Sequence, residues 1–325
     1  MLSIIIVNFK TPQLTIECIR SVMKNTHHID MEIFVIDNFS QDDSESIIRA
    51  AFDNVTVVQM GYNAGFARAN NRGIELSSGD AVLLLNSDTL IHDNTIGELY
   101  LKFMNSKYGA CGVQLLNADG TPQISGNYFM KGSLNLLLAI PYTGKLLKRA
   151  GDFFKVKKPN VPDSNSVVEV DWINGAFLMV KRDVINRVGM LDEDFFLYAE
   201  EAEWCHRIRK LFALAIYGQY KVTHLQGVTA SDAFNSGGGY SNIFDRKGLQ
   251  YLLSNFLRIY KQNGSAWYLF NLAVFSLSVP VVFVGSLVQS SQKRKNAIGL
   301  AKNVVSLWRY TPQIFSRRKH FYKVL

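Results

Sequence analysis

The first half of the chain alternates short, almost wholly apolar runs with longer segments that are expected to be helical. This alternation is typical of βαβ units. Parallel sheets are covered on both faces, so their strands are apolar at nearly every position, as these runs are. The predicted strands are Ser3–Val7, Glu32–Ile36, Val55–Gln59 and Ala81–Leu85, and the predicted helices are Pro12–Asn25, Asp42–Phe52 and Phe66–Ser77. The sequence therefore predicts an α/β fold with a Rossmann-like, mostly parallel sheet flanked by helices.

Length and composition indicate one large folded body. With 325 residues, 48% of them apolar, the chain can bury a large core and carry an additional segment. The three cysteines, Cys18, Cys111 and Cys205, are too widely spaced for a metal or disulfide motif, which indicates a reducing compartment. The first residues, Met1–Val7, lack the basic start of a signal peptide and are expected to form a buried strand.

The C-terminal part differs in charge from the rest of the chain. From Arg246 onward it holds 13 Lys and Arg residues and no Asp or Glu, whereas the preceding part has a net charge of −5. A purely basic segment suggests an anionic partner, either nucleic acid or a phospholipid surface. The segment also contains Ala266–Val288, 23 residues without a charge, which at about 1.5 Å per residue is long enough to span a bilayer.

This uncharged run does not have the pattern of a simple membrane span. Pro280 interrupts it, and basic residues flank it on both sides, whereas a single span keeps its positive charges on one side. We expect a broken, re-entrant or in-plane hydrophobic element, followed by an interfacial amphipathic helix at Ile298–Trp308. An apolar patch at Leu134–Ile140 is expected to dock on lipid as well. The alternative is a buried pair of core helices.

Polar residues follow the predicted strands at the points where they end. Asn8 follows the first strand, Asp37 and Asn38 the second, Asn63 the third, and Asn86-Ser87-Asp88 the fourth. Ligands of parallel α/β sheets bind beyond the carboxyl ends of the strands, so these side chains are expected to line one site. Asp37 and Asn38 are candidates to bind a base edge or a ribose hydroxyl, with a turn cap involving Ser40 as the alternative.

The turn at Asn86-Ser87-Asp88 offers hard oxygen ligands, one of them a carboxylate. Such ligands suit Mg²⁺ or Mn²⁺, which complete their coordination with phosphate oxygens and water, so a diphosphate substrate is implied. A plain turn is the alternative. His224, which follows a late strand, is a candidate third ligand or a structural residue. The sequence lacks a Walker phosphate loop and a dinucleotide fingerprint, which disfavours the ATPase and dehydrogenase classes.

Three glutamates form an acidic cluster late in the folded body. Glu200, Glu201 and Glu203 come shortly after the apolar run Phe195–Tyr198. Acidic residues in the first turn of a helix complement its dipole, which accounts for one or two of them. The apolar neighbours suggest a further role, because desolvation raises the pKa of a carboxyl group and makes it a usable base. Catalysis and structure both remain open for this cluster.

Taken in order, these motifs resemble those of an inverting family 2 glycosyltransferase of GT-A fold. The resemblance covers about Leu2 to Gly227 and is carried by Ser3–Asn8, Val35–Ser40, Asn63–Phe66 with Asn70, and Leu84–Asp88. Asp171–Ala176 followed by Phe195–Arg207 is most similar to the rhamnosyltransferase-like branch, which builds O-antigen, capsule and related bacterial surface polysaccharides. Each motif alone is weak, but their ordered combination is highly specific.

The resemblance implies a role for each matching residue. The residues that would bind the nucleotide are Val7, Asn8, Asp37 and Asn38. Those that would support donor binding are Asn63 and Asn70, and those that would line the acceptor side are Trp172, Gly175 and Ala176. Asn86 and Asp88 stand where the family has its metal-binding Asp-x-Asp motif, with Asp88 as the main ligand. His224 matches a histidine that completes the metal or pyrophosphate site in relatives.

The resemblance also implies which carboxylate acts as the base. Glu200-Glu201 stands where relatives usually have Glu-Asp, the second residue being the general base. Glu201 is therefore the leading candidate, although its longer side chain departs from the family pattern and leaves Glu200 and Glu203 as rivals. One base on the acceptor side and one metal on the leaving-group side suit a single in-line displacement with inversion.

The resulting prediction is a metal-dependent glycosyltransferase that uses Mg²⁺ or Mn²⁺. It would move rhamnose or another hexose from a dTDP-, UDP- or GDP-sugar to a hydroxyl of a glycan acceptor linked to polyprenyl diphosphate. It would act at the cytoplasmic face of the bacterial inner membrane on anionic lipid, without a nucleic-acid partner. Alternatives are a polyprenyl-phosphate sugar synthase, a sugar-nucleotide pyrophosphorylase and a non-catalytic membrane-binding protein.

The predicted domain organisation follows the change in composition. A catalytic domain is expected at 1–229, with a nucleotide-binding half at 1–116 and an acceptor-binding half at 117–229. A basic and apolar helical region for membrane association is expected at 230–325.

Overall fold

The structure is a computed structural model that describes residues 1–153, 165–225 and 242–325. The chain divides into two compact units. The first unit comprises Met1–Tyr128, Asn160–Glu193 and Glu200–Asn235, and the second comprises Phe129–Pro159, Asp194–Ala199 and Ser236–Leu325. The predicted boundary between the catalytic domain and the membrane-association region, at residues 229 and 230, lies outside the described residues.

A mixed sheet forms the centre of the first unit. Its strands are β1 (Leu2–Asn8), β2 (Met31–Asp37), β3 (Thr56–Gln59), β4 (Ala81–Asn86), β5 (Thr89–Ile91), β6 (Ala110–Leu116), β8 (Val167–Val170), β10 (Phe177–Lys181) and β11 (Leu214–His224), while β7 (Gly126–Asn127) pairs with β9 (Trp172–Ile173) separately. The strand order is β3-β2-β1-β4-β10-β6-β11-β5, with β8 beside β11. Strands β1 to β4 are parallel, and β10 runs antiparallel between β4 and β6.

Helices cover both faces of this sheet. They are α1 (Pro12–Asn25), α2 (Ser44–Ala51), α3 (Gly65–Leu76), α4 (Thr95–Met104), α6 (Arg182–Val188) and α7 (Glu200–Arg209), while α5 (Thr143–Phe153) belongs to the second unit. Alternate strand residues point to opposite faces, so Ile4 and Ile6 join one core with Ile19 of α1, and Ile5 joins the other with Trp204 of α7. The predicted α/β fold with a mostly parallel sheet is confirmed, and the predicted elements of the first half lie within two residues of the observed ones.

The second unit is helical. Besides α5 it contains a short 3₁₀ segment at Lys131–Ala139 and the long helices α8 (Arg246–Leu287) and α9 (Ser291–Phe315). Helices α8 and α9 share one apolar core, in which Phe256 and Phe275 pack edge to face. Within the described ranges, α8 is the one helix that is long and apolar enough to cross a membrane, judged by length and composition, and 33% of its most apolar stretch is buried.

Helix α8 is broken at Gly264 rather than at Pro280. Gly264 has a φ of 83°, in the left-handed region that glycine adopts without strain. The helix continues past Pro280, which lies on an exposed face. The expected interruption at Pro280 is therefore wrong, because a proline removes only one backbone donor, and on an exposed face the freed carbonyl group is not sealed inside a core.

The apolar patch predicted at Leu134–Ile140 is mostly core rather than a lipid-docking surface. Leu136, Leu137 and Ile140 are buried with the apolar side chains of α8 and α9, and only Leu138 is exposed to a large extent, at 43%. The 3₁₀ segment packs against α8, where Asn271 donates a hydrogen bond to the Gly132 carbonyl oxygen. Hydropathy reports how apolar a run is but not which way its side chains point.

The predicted interfacial helix Ile298–Trp308 lies inside α9. Its buried face includes Leu300 and Leu307, and its exposed face mixes Val305 and Trp308 with the basic residue Lys302. This region is amphipathic, as expected, and its place at a membrane interface stays a prediction.

Replacing Gly97 tests how tightly α4 packs against the loop that follows α1. Alanine is a better helix former than glycine and would stabilise an exposed helix position by up to about 1 kcal/mol. At position 97 an added Cβ would instead clash with the His27 carbonyl oxygen and the Asn94 side chain. We expect Gly97→Ala to lower the free energy of unfolding by about 1–3 kcal/mol in urea denaturation.

Leu101 on the same helix provides the control. Its side chain is largely exposed, so Leu101→Ala should change the free energy of unfolding by no more than about 0.5 kcal/mol. A Gly97→Ala protein as stable as the wild type would show that the helix can move away from the loop at little cost.

Candidate active site

A hydrogen-bond network joins the ends of β1 and β2. Asn8 and Asp37 are partners in the parallel ladder, both are buried, and Asn8 Nδ2 donates to Asp37 Oδ1 at 2.7 Å. Thr15 Oγ1 donates to Asn8 Oδ1 at 2.8 Å, and Ser40 donates to Asp37 through its backbone N–H and its hydroxyl. The turn cap with Ser40 is therefore present, and the network holds both side chains in defined rotamers.

Asn38 ties the end of β2 to the turn after β3. Its Nδ2 donates to Asn63 Oδ1 at 3.1 Å, and its Oδ1 accepts from the Ala64 backbone N–H at 2.7 Å. Asn70 lies one turn into α3, where its Nδ2 donates to the Phe66 carbonyl oxygen at 2.9 Å. The structure thus brings Asn38 and Asn63 together, whereas this hydrogen bond of Asn70 is internal to its own helix.

Asn86, Asp88 and His224 meet at the carboxyl end of β4. Strand β5 folds back onto β11, which sets His224 opposite Thr89 and close to Asp88. His224 Nε2 lies 3.3 Å from Asp88 Oδ1 and 3.4 Å from Asn86 Nδ2. Val7 of β1 is the ladder partner of Asn86. The structure therefore brings the three predicted metal-site residues into one cluster beside the predicted nucleotide-binding strand.

Cys18 of α1 supports the backbone of this turn. Burial raises the pKa of the Cys18 thiol to about 12, so the thiol stays protonated and donates to the Asn86 carbonyl oxygen, 3.6 Å from Sγ. Thr89 Oγ1 donates to the same oxygen at 2.8 Å. A protonated thiol is neither a metal ligand nor a nucleophile, so Cys18 serves here as a hydrogen-bond donor.

Gln123 is a site residue that no sequence motif reveals. Its Oε1 lies 2.9 Å from His224 Nδ1, and its Nε2 donates to the His224 carbonyl oxygen at 2.6 Å. An amide oxygen can only accept, so Nδ1 carries a proton, and the other ring nitrogen, Nε2, faces Asp88. Histidines that bind metal use this arrangement, with the second ring nitrogen donating to a fixed acceptor.

The cluster at the end of β4 offers a carboxylate, an imidazole and an amide as candidate ligands for a divalent cation. Among the residues that the structure describes, no three His, Cys, Asp or Glu side chains are grouped to hold a metal ion. Asp88 and His224 supply two such ligands, and Asn86 adds an amide. Magnesium and manganese need few protein ligands when phosphate oxygens and water complete the shell. His224 Nε2 and Asp88 Oδ1 lie 3.3 Å apart, so a single cation could contact both atoms.

Glu203 and Glu200 at the start of α7 are both buried, and Glu203 is held in an ion pair. Both carboxylate oxygens of Glu203 accept from Arg207 Nε at 2.9 Å, and Arg207 also donates to the carbonyl oxygens of Val188 and Met190. This ion pair is largely shielded from solvent and holds α7 to the end of α6. Glu200 is buried.

Glu201 is the one half-buried member of the acidic cluster, and its side chain lies against Gly175. A Cβ at position 175 would come within 3.4 Å of Glu201 Cγ. Just before the helix, Tyr198 and Ala199 have φ values of 73° and 67°, in the left-handed region that non-glycine residues rarely adopt. Backbone strain of this kind is concentrated at functional sites.

The predicted acceptor residues connect Glu201 to the cluster at the end of β4. Ala176 accepts a hydrogen bond from the Asn86 backbone N–H at 3.0 Å, while its neighbour Gly175 borders Glu201. Trp172 lies three residues earlier, half-buried in β9 and paired with Asn127 of β7. Gly175 therefore borders the candidate base, Glu201, and its neighbour Ala176 is bonded to the candidate metal-binding turn at Asn86.

The sequence profile of glycosyl transferase family 2 matches residues 3–168, just over half of the chain. The chain belongs to glycosyl transferase family 2. The predicted family is thereby confirmed, and the residues matched include the network at the ends of β1 and β2 and the turn after β4.

Curated relatives of this family 2 glycosyltransferase carry glycosyltransferase names. The low-salt glycan biosynthesis hexosyltransferase Agl10 of Haloferax volcanii is 31% identical over 218 residues, which are 64% of this chain and 62% of the relative. An N-acetylglucosaminyl-diphospho-decaprenol L-rhamnosyltransferase of Mycobacterium tuberculosis is 24% identical over 202 residues, 58% of this chain and 64% of the relative. The chain thus spans less than two thirds of the length of these relatives.

A solved structure supports the fold. The mannosyltransferase PcManGT from Pyrobaculum calidifontis, in complex with GDP-Man and Mn²⁺, superimposes on this family 2 glycosyltransferase with a TM-score of 0.53 at 14% identity, over 98% of this chain and 88% of that chain. At this identity the likeness concerns the fold alone. It agrees with the GT-A fold that the motifs predict.

Replacing Gln123 tests its control over His224. In Gln123→Ala the His224 Nδ1 proton loses its acceptor, so the ring is free to turn or to change tautomer. We expect Mn²⁺ affinity, measured by isothermal titration calorimetry, to fall by about 10–100-fold. Gln123→Glu keeps an acceptor at this position and should retain most of the affinity.

Asn117 provides the matched control. Asn117 Oδ1 also accepts from Gln123 Nε2, but no described contact joins it to His224, so Asn117→Ala should bind Mn²⁺ nearly as the wild type does. Equal Mn²⁺ affinity of Gln123→Ala and wild type would show that Gln123 does not orient the imidazole.

Proposed function

We propose that the chain is an inverting glycosyltransferase that moves a sugar from a nucleoside-diphosphate donor to a hydroxyl group of a glycan acceptor. The observation that carries this proposal is the Gly175-Ala176 pair, which borders Glu201 on one side and is hydrogen-bonded to Asn86 on the other. A base on the acceptor side and charge stabilisation on the leaving-group side suit a single in-line displacement with inversion. Membership of glycosyl transferase family 2 supports the reaction class.

The network at the ends of β1 and β2 supports binding of the nucleotide. Asp37 Oδ2 accepts from the Ser40 backbone N–H, and a carboxylate oxygen has a second lone pair that can accept from a base or a ribose hydroxyl. Asn8 and Thr15 hold the other end of the network, so Asp37 has little freedom to lose when the donor binds. The donor classes that fit are dTDP-, UDP- and GDP-sugars; PcManGT was solved with GDP-Man.

Asn86, Asp88 and His224 are the residues that would hold Mg²⁺ or Mn²⁺. A bound divalent ion would offset the negative charge that develops on the diphosphate leaving group. The chain contributes the geometry: the pairing of β5 with β11 sets His224 beside Asp88, and Gln123 keeps Nε2 directed at the site.

Glu201 is the proposed general base. An acceptor hydroxyl is a weak nucleophile, so a positioned carboxylate must take its proton. The Glu203 carboxylate is bound to Arg207, and Glu200 is buried, whereas Glu201 is half-buried beside Gly175. The acceptor residues Trp172, Gly175 and Ala176 would place the sugar hydroxyl within reach of Glu201.

The proposed acceptor is a lipid-linked glycan of the bacterial cell surface. The Mycobacterium tuberculosis relative is named for transfer of rhamnose to a decaprenyl-diphosphate-linked sugar, and a relative from Myxococcus xanthus, 24% identical, is named O-antigen biosynthesis protein RfbC. These names support rhamnose or another hexose as the sugar and polyprenyl diphosphate as the carrier. The place of action would be the cytoplasmic face of the inner membrane.

Replacing Glu201 tests the assignment of the base. Glu201→Gln keeps the shape of the side chain but cannot accept the proton of the acceptor hydroxyl. We expect the turnover rate to fall by about 10²–10⁴-fold, with the affinity for the donor unchanged. The assay measures nucleotide release from a panel of dTDP-, UDP- and GDP-sugars with membrane extract as the acceptor.

Two glutamine variants serve as controls for Glu201→Gln. Glu98→Gln, at an exposed position of α4, should keep full turnover. Glu203→Gln removes the ion pair with Arg207 and should act mainly on thermal stability. If Glu203→Gln lost more turnover than Glu201→Gln at unchanged stability, the base would be Glu203.

Replacing Asp88 tests the metal site. Asp88→Ala removes the only carboxylate among the three proposed ligands, so turnover should be lost and added Mn²⁺ should not restore it. Wild-type turnover should be lost in EDTA and restored by Mn²⁺ or Mg²⁺. Asp119→Ala, in an exposed turn, provides the control. An Asp88→Ala protein with normal turnover in EDTA would contradict the metal site.

A further inference from the structure

The exposed face of α8 between residues 266 and 288 is wholly apolar. Every exposed position in this stretch, which ends at the C-cap residue Val288, carries an apolar side chain. The positions recur every three or four residues, which is the period of one helix face. The most exposed are Leu277, Val284 and Val288, with 74%, 65% and 90% of the side chain accessible. We call this surface the apolar face of α8.

Three polar residues of the same stretch lie on its buried face, and a fourth, Ser276, is half-buried. Asn271, Ser278 and Ser286 are all buried. Asn271 donates to the carbonyl oxygens of Gly132 and Trp267, and both serines donate to carbonyl oxygens within α8. A helix that faces water places its polar residues outward and its apolar residues inward. In this stretch no exposed position is polar, and the buried face carries polar as well as apolar side chains, which is the pattern of a helix whose outer solvent is apolar.

Helix α5 extends the apolar face at its C-terminal end. Tyr142, at the start of α5, packs against Gly285, where an added Cβ would come within 2.9 Å of the ring, and it accepts a hydrogen bond from Gln289. On α5 itself, Leu146 and Leu147 are exposed. A contiguous exposed apolar surface of this kind marks an interaction site rather than ordinary protein surface.

Basic residues lie beside this end of the apolar face. Lys145, Lys148 and Arg149 are exposed on α5, and Lys293–Lys295 are exposed at the start of α9. From Arg246 onward the sequence has no Asp or Glu to offset them. Apolar insertion combined with positive charge is what stable attachment to an anionic membrane surface requires.

We infer that the apolar face of α8, together with α5, lies at the headgroup–acyl boundary of an anionic bilayer, with α8 in the plane of the membrane. On the opposite face of α8, Leu272, Phe275 and Val282 are buried in the core of the second unit. Lipid therefore cannot contact the helix on all sides, as it contacts a transmembrane helix. A second copy of the chain is a poor occupant, because pairing two such surfaces would bring their basic residues together.

This inference deepens the proposed function, on which it rests only for the lipid-linked acceptor. Vesicle binding is measured without donor or acceptor, so loss of binding and loss of sugar transfer are separate results. A protein that binds vesicles but transfers no sugar would refute the proposed function and leave the docking surface in place.

The test is sedimentation of the full chain with two kinds of vesicle, phosphatidylcholine alone and phosphatidylcholine mixed with phosphatidylglycerol. The wild type should bind the mixed vesicles more tightly. The double variant Leu277→Ser with Val284→Ser should lose at least about tenfold in affinity for the mixed vesicles, because two inserted apolar side chains are lost. Exposed positions tolerate serine, and circular dichroism checks that the helices remain.

Two further variants separate the contributions. Leu211→Ser, at an equally exposed leucine of the first unit, should bind vesicles as the wild type does. Replacing Lys293, Arg294 and Lys295 by glutamine should lower affinity for the mixed vesicles by about fivefold for each charge removed, and leave phosphatidylcholine binding unchanged.

Four outcomes would overturn the inference. These are no vesicle binding by the wild type, full binding by the Leu277→Ser, Val284→Ser variant, resistance to alkaline carbonate extraction as expected of a membrane span, and a wild-type dimer that the double variant converts to a monomer. The last of these would identify the apolar face as a contact between copies.

Discussion

The antiparallel insertion of β10 between β4 and β6 is the constraint on which the candidate active site depends. Because β10 runs against β4, its first residue, Phe177, lies opposite Leu85 at the carboxyl end of β4. The residues just before β10 are thereby delivered to the edge where the parallel strands end. Ala176 then bonds to Asn86, and Gly175 borders Glu201. A parallel β10 would put this stretch at the opposite edge, far from every donor-side residue.

Buried polar contacts then hold the predicted donor side in place before a ligand binds. A buried amide or carboxylate without partners is costly, so Asn8 and Asp37 are stable in the core only because Thr15 and Ser40 complete their hydrogen bonds. Gln123 does the same for His224. Groups fixed in this way do not need to reorganise when charge develops, which is the basis of electrostatic catalysis. Stability and function are therefore served by the same contacts.

The sequence predicts what depends on local pattern and on the general rules of parallel sheets. The strands and helices of the first half, and the convergence of their polar ends, follow from such rules. The role of Gln123 could not be predicted from the sequence, because Gln123 and His224 are 101 residues apart and no motif contains Gln123. The ion pair of Glu203 could also be predicted, since Glu203 and Arg207 have the i,i+4 spacing of a helical ion pair. The patch at Leu134–Ile140 was misread because hydropathy carries no direction.

Hydropathy also fails to show which way the side chains of α8 point. Its 23 uncharged residues are visible in the sequence, but only the structure shows that every exposed position among them is apolar. On the proposed function, an enzyme held at a bilayer meets its lipid-linked acceptor at a high effective concentration, so the acceptor site needs little affinity of its own. The soluble donor gains no such increase in effective concentration, so its affinity must come from its contacts with the protein alone. This asymmetry accounts for a donor side built from buried, mutually bonded residues such as Asn8 and Asp37, beside half-buried Trp172 and Glu201 on the acceptor side.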